Sequence, residues 1–495
     1  MKKLAVTAVL FAGVLFSQYD AHAQYINGEP QTTSENTAAD STVIITLEQA
    51  LQIALSENVS VKVADMEIKR TEYAKKGSYA ALFPQIDATG AYQRTIKKQV
   101  MYMDFDMSSL MGGAAGDAGT GAGTGAGTEN SSTGTESTES SSNGGGIEMG
   151  RWNTWSAGVS AAMPIVNLQL WKSLKLSGMD VELAVEKARA SRLDMVTQVK
   201  NAYYSTLLAK EAFEVYKQVY ENALQNLEVT QNKYNAQKAS EMELLRAKTT
   251  VANAVPNVYN AEGSVILALW QLKAVLGVDL DMNLDVAGNL EDWSQHMLYD
   301  IHQHDEISLD MNTTMKQLAI QAEMLAETVR LQKYANIPSL AVAFSFTFNA
   351  MTNDFNFKEY RWTPYSYVGL SLNIPIFAGG KRYQQIRQAK NQYEQVQLQT
   401  LNTERQLKIM IRQHLNTMET SMKSYYAAKD ALASAQKGYD IVEKSYEVGR
   451  STLIEVNDAQ LALTQAQLGA SQAVYNFLTA KSQLEQALGQ DFINK

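Results

Sequence analysis

Apolar residues recur along two stretches of this chain in one 3-4-3-4 rhythm. Leu244, Ala247, Val251, Ala254, Val258, Ala261, Val265, Ala268, Leu272 and Val275 form the first stretch. Val456, Ala459, Leu463, Ala466, Ala470, Ala473, Phe477, Ala480, Leu484 and Ala487 form the second, offset by about 212 residues. The spacing places each set on one helix face as a heptad seam. Each seam opens after a short turn and closes at Leu-Gly, at Leu276-Gly277 and again at Leu488-Gly489. Agreement in landmarks as well as period predicts a tandem duplication of one long helical unit.

The remaining pattern repeats in the same order. Leu47, Ala50, Leu51, Ala54 and Leu55 form a helical stripe, predicting a helix from Thr46, as cap, to Ala81, stopped by Pro84; its counterpart runs from Asn312 to Tyr334, ahead of Pro338. After each proline the period changes to two. Ile86, Ala88, Gly90 and Tyr92, then Trp155, Ala157, Val159, Ala161 and Met163, alternate with polar or small residues. So do Leu340, Val342, Phe344, Phe346 and Phe348, then Val368, Leu370, Leu372 and Ile374. Each half thus carries one hairpin of strands long enough to cross a bilayer when tilted. Helices from Leu168 to Tyr234 and from Arg382 to Tyr446 leave the strands, each roughly 100 Å long at the usual rise. They end in turns at Asn235–Ser240 and Glu447–Thr452, where the seam helices return.

Composition adds boundaries. Lys2 and Lys3, an apolar run from Leu4 to Phe16 and Ala21-His22-Ala23 predict a signal peptide over residues 1–23. The first repeat then spans 24–278, an acidic, aperiodic linker or equatorial segment 279–311, and the second repeat 312–495. Residues 111–146 are almost wholly Gly, Ala, Ser, Thr and Glu, a composition that predicts disorder. The equivalent loop, near 350–364, carries Phe355, Phe357, Tyr360 and Trp362, suited to a membrane interface. There is no cysteine, hence no disulfide, and no mature stretch has the roughly 20 apolar residues of a membrane helix. The net charge of −9 argues against nucleic acid as a partner.

Four strands cannot close a barrel, and an open edge in lipid leaves backbone groups without partners. Three copies would supply twelve strands and twelve helical segments. The predicted fold class is therefore an α+β membrane protein: a trimeric 12-stranded β-barrel, four strands per protomer, continued by a long α-helical coiled-coil barrel.

The duplication, the strand endings Met163-Pro164-Ile165 and Ile374-Pro375-Ile376-Phe377-Ala378-Gly379-Gly380, and the turn Tyr446-Glu447-Val448-Gly449-Arg450-Ser451 together resemble the TolC-like outer-membrane efflux protein family. The resemblance covers nearly the whole mature chain. It implies a homotrimeric exit duct in the outer membrane and its lipid, extending into the periplasm and closed at its periplasmic tip. A periplasmic adaptor and an inner-membrane pump of RND or ABC type are the implied partners, for efflux or type I secretion. The family's acidic pair at the entrance falls on Glu455 and Asp458, with Tyr446 at the gate; six carboxylates around a pore would attract cations. Where the family often has a tethering arginine, this chain has Ser451. The implied adaptor-docking tips are Val448, Gly449 and Ser451 and, in the first repeat, Ala236, Ala239 and Ser240. Gly449 suits a turn of positive φ, and because its counterpart is Gln237 the first tip is expected to turn differently.

Enzymatic readings find no nucleophile constellation and no phosphate-binding glycine loop, so no catalytic residue and no cofactor is assigned. His296, His302 and His304 lie among Asp300, Asp305 and Glu306, but their irregular spacing reads as a solvated loop rather than a metal site. The alternative function is a periplasmic adaptor or structural coiled coil, which would not provide each of two hairpins with its own strand pair.

Overall fold

In the computed structural model the described residues are 42–102, 146–294, 297, 308–356 and 360–490. The predicted signal peptide, the three linker histidines and all of the Gly/Ser/Thr tract except Gly146 lie outside them. The elements are β1 (Val43–Ile45), α1 (Leu47–Glu57), α2 (Val59–Ala80), β2 (Gln85–Arg94), β3 (Gln99–Tyr102), β4 (Gly146–Met149), β5 (Asn153–Val166), α3 (Leu168–Asn235) and α4 (Glu241–Leu276). There follow β6 (Leu284–Val286), α5 (Leu290–Ser294), α6 (Thr313–Tyr334), β7 (Ser339–Thr352), β8 (Thr363–Asn373), α7 (Lys381–Glu447) and α8 (Leu453–Leu488).

The sheet runs β2-β5-β7-β8, antiparallel throughout. Its register joins the four alternating patterns into one surface. Ile86 faces Ala161, Ala161 faces Phe344, and Phe344 faces Val368. On the opposite face the row is Asp87, Ser160, Ser345 and Tyr367. A one-residue slip would exchange the faces, so the alternation fixes the register. The long helices all leave the sheet at the end opposite Arg94 and Asn153. No described helix is long and apolar enough to cross a membrane, a statement about helices alone.

At 68 and 67 residues, α3 and α7 each reach about 100 Å. The seams of α4 and α8 pack inward, every member buried or half-buried. α4 continues through Pro256, whose missing N–H deprives the Ala252 carbonyl of its intrahelical donor. The largest core lies mid-length, where Tyr203, Leu207, Leu272, Ile411, Met418, Phe477 and Leu484 pack together. β1 and β6 pair in parallel against it. Tyr203 donates to the Ala287 carbonyl at 2.6 Å, Lys210 holds Asp285 at 2.9 Å, and Tyr425 meets Ser294 at 3.0 Å. This equatorial unit therefore grips both long helices.

The single helix predicted from Thr46 to Ala81 is two. Thr46 caps the first in a capping box with Gln49, as its sequence position suggests. The break falls at Asn58, whose side chain accepts from Ser60 N at 2.7 Å and donates to the Val275 carbonyl at 2.7 Å. Asn312 does the same in the second half, accepting from Met315 N at 2.9 Å and donating to the Ala487 carbonyl at 2.6 Å. A tertiary contact 217 residues away thus outweighs one more turn of helix.

Just below the sheet, Glu327 is 1% exposed and surrounded by Lys172 at 3.0 Å, Lys175 at 2.8 Å and Arg330 at 2.5 Å. Chiefly through the Lys175 hydrogen bond, its carboxyl is held down at about 2. The folded value lies below the unfolded one, so the stabilisation is complete above the ordinary carboxylate range and disappears as pH falls toward 2. Glu327→Gln should destabilise the protein by on the order of 2 kcal/mol near neutral pH, with the deficit shrinking under acid; thermal unfolding at a series of pH values checks this. A deficit independent of pH would show that packing, rather than charge, is what the substitution removes.

Candidate functional site at the helical tips

Both hairpins reverse direction by the same backbone motif. At the first tip Lys238 N donates to the Lys233 carbonyl at 2.8 Å and Gln237 N to the Tyr234 carbonyl at 2.9 Å. At the second, Arg450 N donates to the Ser445 carbonyl at 2.7 Å and Gly449 N to the Tyr446 carbonyl at 3.0 Å. These are Schellman closures, each with its C′ residue left-handed: Gly449 at φ +79° and Gln237 at φ +57°. The expectation that the first tip turns differently is therefore corrected. Glutamine is forced into the glycine conformation because the same pair of carbonyls must be closed.

The returning helices then start with the same cap. Ser240 Oγ accepts from Glu243 N at 3.3 Å while Glu243 Oε2 accepts from Ser240 N at 3.0 Å. Thr452 and Glu455 do likewise at 3.3 and 2.8 Å. The Glu455 carboxylate is thus engaged at its own helix N-terminus, which a negative charge stabilises. Asp458 lies one turn on, exposed, and among the described residues neither carboxylate forms an ion pair. Ala236, Ser240, Val448 and Gly449 are exposed, Val448 at 70%, while Ala239 and Ser451 are half-buried.

Tyr446 occupies a different environment. It is buried among Tyr439, Leu453, Val456, Leu463 and Ala247, a second apolar cluster that joins the two hairpins. Its hydroxyl is 2.6 Å from Thr230 Oγ1, and Thr230 donates in turn to the Asn226 carbonyl at 2.6 Å, so the phenol donates to Thr230. Burial raises the phenol's pKa. Lys233 donates to the Tyr446 carbonyl and lies 3.7 Å from the ring centroid. Burial lowers the Lys233 ammonium's pKa, opposed by Glu243 and Glu447. Thr230 and Lys233 are absent from the sequence reading because only the fold brings them to Tyr446. Glu243 is absent too, and Thr452 enters there only as the end of a turn, although the Ser-x-x-Glu and Thr-x-x-Glu spacing signals both caps.

Gln237→Gly should raise stability by about 1 kcal/mol by relieving the left-handed strain. Glu455→Ala should cost about 1 kcal/mol, and Glu455→Gln less because an amide oxygen can still close the cap. Thermal unfolding of the purified protein measures all three. A lower melting temperature for Gln237→Gly would mean that the glutamine side chain contributes more than its backbone costs.

The profile of the family described as "Outer membrane efflux protein" matches residues 121–278 and 306–490. The outer membrane protein TolC of Escherichia coli is 22% identical over 352 residues, covering 68% of this chain and 70% of that protein. Among solved structures, the CmeC outer membrane channel of Campylobacter jejuni superposes with a TM-score of 0.65 at 16% identity, over 90% of this chain and 85% of that one. The outer membrane protein VceC of Vibrio cholerae gives 0.64 at 15% identity, over 90% and 96%.

Proposed function

Because the chain belongs to the outer membrane efflux protein family, we propose that it is an outer-membrane exit duct for efflux or type I secretion. Such a duct passively conducts what a periplasmic adaptor and an inner-membrane pump hand over, without transforming it. One observation carries this reading: a sheet with one continuous apolar face and two open edges, standing on helices about 100 Å long. The edges are β2 and β8. Each continues into an apolar stripe with no partner in the protomer. Val59, Val63, Met66 and Tyr73 are 57–69% exposed on α2, which enters β2; Leu398, Leu401 and Ile409 are 52–67% exposed on α7, which leaves β8.

The two flanks are different surfaces, so their pairing is head-to-tail and closes as a ring. We take that ring to be a homotrimer, in which twelve strands make the barrel and the hairpins of a duplicated chain, repeats 24–278 and 312–495, make the tube below. The linker 279–311 then belongs to an equatorial belt. Glu455 and Asp458 would surround the entrance at the tip. Tyr446, held by Thr230 and Lys233, would gate it as the contact that keeps one hairpin against the other, in place of the arginine tether replaced here by Ser451. The exposed residues Ala236, Val448 and Gly449, with Ala239, Ser240 and Ser451, would form the surface on which the adaptor docks.

Mass measurement in detergent should give a trimer, and planar-bilayer recording should give a cation-selective channel. A stable monomer without conductance would overturn the proposal. The double substitution Glu455→Gln, Asp458→Asn, which retains the cap, should reduce cation selectivity while leaving the trimer intact. Unchanged selectivity would confine both carboxylates to the helix start and surface.

A further inference from the structure

At the end of the sheet away from the helices, the described strand ends and turns carry a cluster of exposed cations. Arg94 closes β2 opposite Asn153 of β5. Thr95 N donates to the Trp152 carbonyl at 2.8 Å, and Lys98 lies 4.8 Å from the Trp152 ring centroid. Arg151 donates to the Met351 carbonyl at 3.0 Å, tying β5 to the end of β7. Tyr360 donates to the Asp354 carbonyl at 3.0 Å, which brings the neighbouring Arg361 to the same rim. Five cations, Arg94, Lys97, Lys98, Arg151 and Arg361, thus share this end with Asp354.

Several cations nearer the helices are matched within the protomer. Lys172, Lys175 and Arg330 surround Glu327, Lys200 pairs with Glu485, and Arg192 pairs with Asp65. Among the described residues no ion pair involves Arg94, Lys97, Arg151 or Arg361, and all four are exposed. Directly beneath, on the apolar face, Tyr92 stacks on Trp155 at 4.4 Å and lies 6.3 Å from Phe355. Unmatched cations above an aromatic band at the end of an apolar strand face complement one chemistry: anionic headgroups carried on acyl chains.

We propose that this cluster binds the phosphate groups of the outer-leaflet glycolipid, with Arg94, Lys97 and Arg151 meeting phosphate oxygens while Tyr92, Trp155 and Phe355 lie against the upper acyl chains. The inference rests on the exit-duct reading, which sets the sheet in the outer membrane with this end outward. It goes beyond that reading by assigning a ligand to the rim.

The test uses the full-length protein in neutral detergent, with fluorescent lipid A as probe. Its dephosphorylated form and inorganic phosphate serve as controls. Lipid A should bind in a salt-dependent manner and more tightly than the dephosphorylated form. The triple variant Arg94→Gln, Lys97→Gln, Arg151→Gln should weaken it by about a hundredfold, at roughly fivefold per charge. Arg94→Lys, Arg151→Lys should retain most of the affinity, separating charge from any loss of the Arg151 tie to β7. Equal binding of both lipid forms, undiminished binding by the triple variant, or displacement by inorganic phosphate at comparable concentration would each overturn the assignment. Recording in bilayers of neutral phosphatidylcholine distinguishes the two levels of failure. A channel that conducts there but ignores lipid A phosphate overturns this inference alone, whereas absence of conductance overturns the exit-duct reading with it.

Discussion

The architecture depends on an asparagine amide used twice. Asn58 and Asn312 each start the helix that leads to the sheet, and each donates to a carbonyl at the end of a returning seam helix, Val275 and Ala487. The following glycines, Gly277 and Gly489, are left-handed and fit closely against the chain at these asparagines: a Cβ on Gly489 would stand 2.1 Å from the Met311 carbonyl oxygen. One side chain thus satisfies two helix ends at once, an N-terminus in its own element and a C-terminal carbonyl in another. A buried hydrogen bond of this kind contributes about 1 kcal/mol, but its larger effect is geometric. It fixes where each hairpin hangs from the strand-bearing helices, and the mid-length core and the equatorial unit assemble around that junction.

Stability along so long an object is unevenly distributed. The mid-length core contains large side chains such as Phe477, Leu272 and Met418, whereas the tip cluster around Tyr446 and Val456 is smaller and includes Ala247. Between them the seams rely on alanine, which brings helices close but buries little area per residue. The ends therefore open more easily than the middle, since local unfolding follows the density of buried apolar contact. A gate at the tip, as proposed, would draw on the less stable end of the molecule, and the equatorial grip of Tyr203, Lys210 and Tyr425 would confine its motion there.

What was legible in the sequence was whatever repeats at short range. The seams, the strand faces and the long helices follow from periods of 3.5 and 2, and the observed register places Ile86, Ala161, Phe344 and Val368 in one row as the alternation demands. Features decided by distant partners were not legible. The break at Asn58 lies within an unbroken helical pattern, and β1 is too short to signal itself without β6. Tyr446 illustrates both sides: its place in a turn signature is visible, but its burial against Thr230 and Lys233 arises from the packing of one hairpin on the other. At Glu455 a local signal and a symmetry argument coincide, since the carboxylate that three protomers would direct at a pore is also the one that closes its own helix cap.

Pro256 gives the two hairpins different mechanics. It interrupts the hydrogen-bond ladder of α4 at Ala252, about four turns from the tip, whereas the corresponding position of α8 is Leu468 in an unbroken helix. A rod missing one rung bends there at lower load than an intact rod of equal length. Sideways force applied at the tips would therefore flex the first hairpin while the second pivots as a stiff lever, so identical pushes on the two tips would produce unequal displacements.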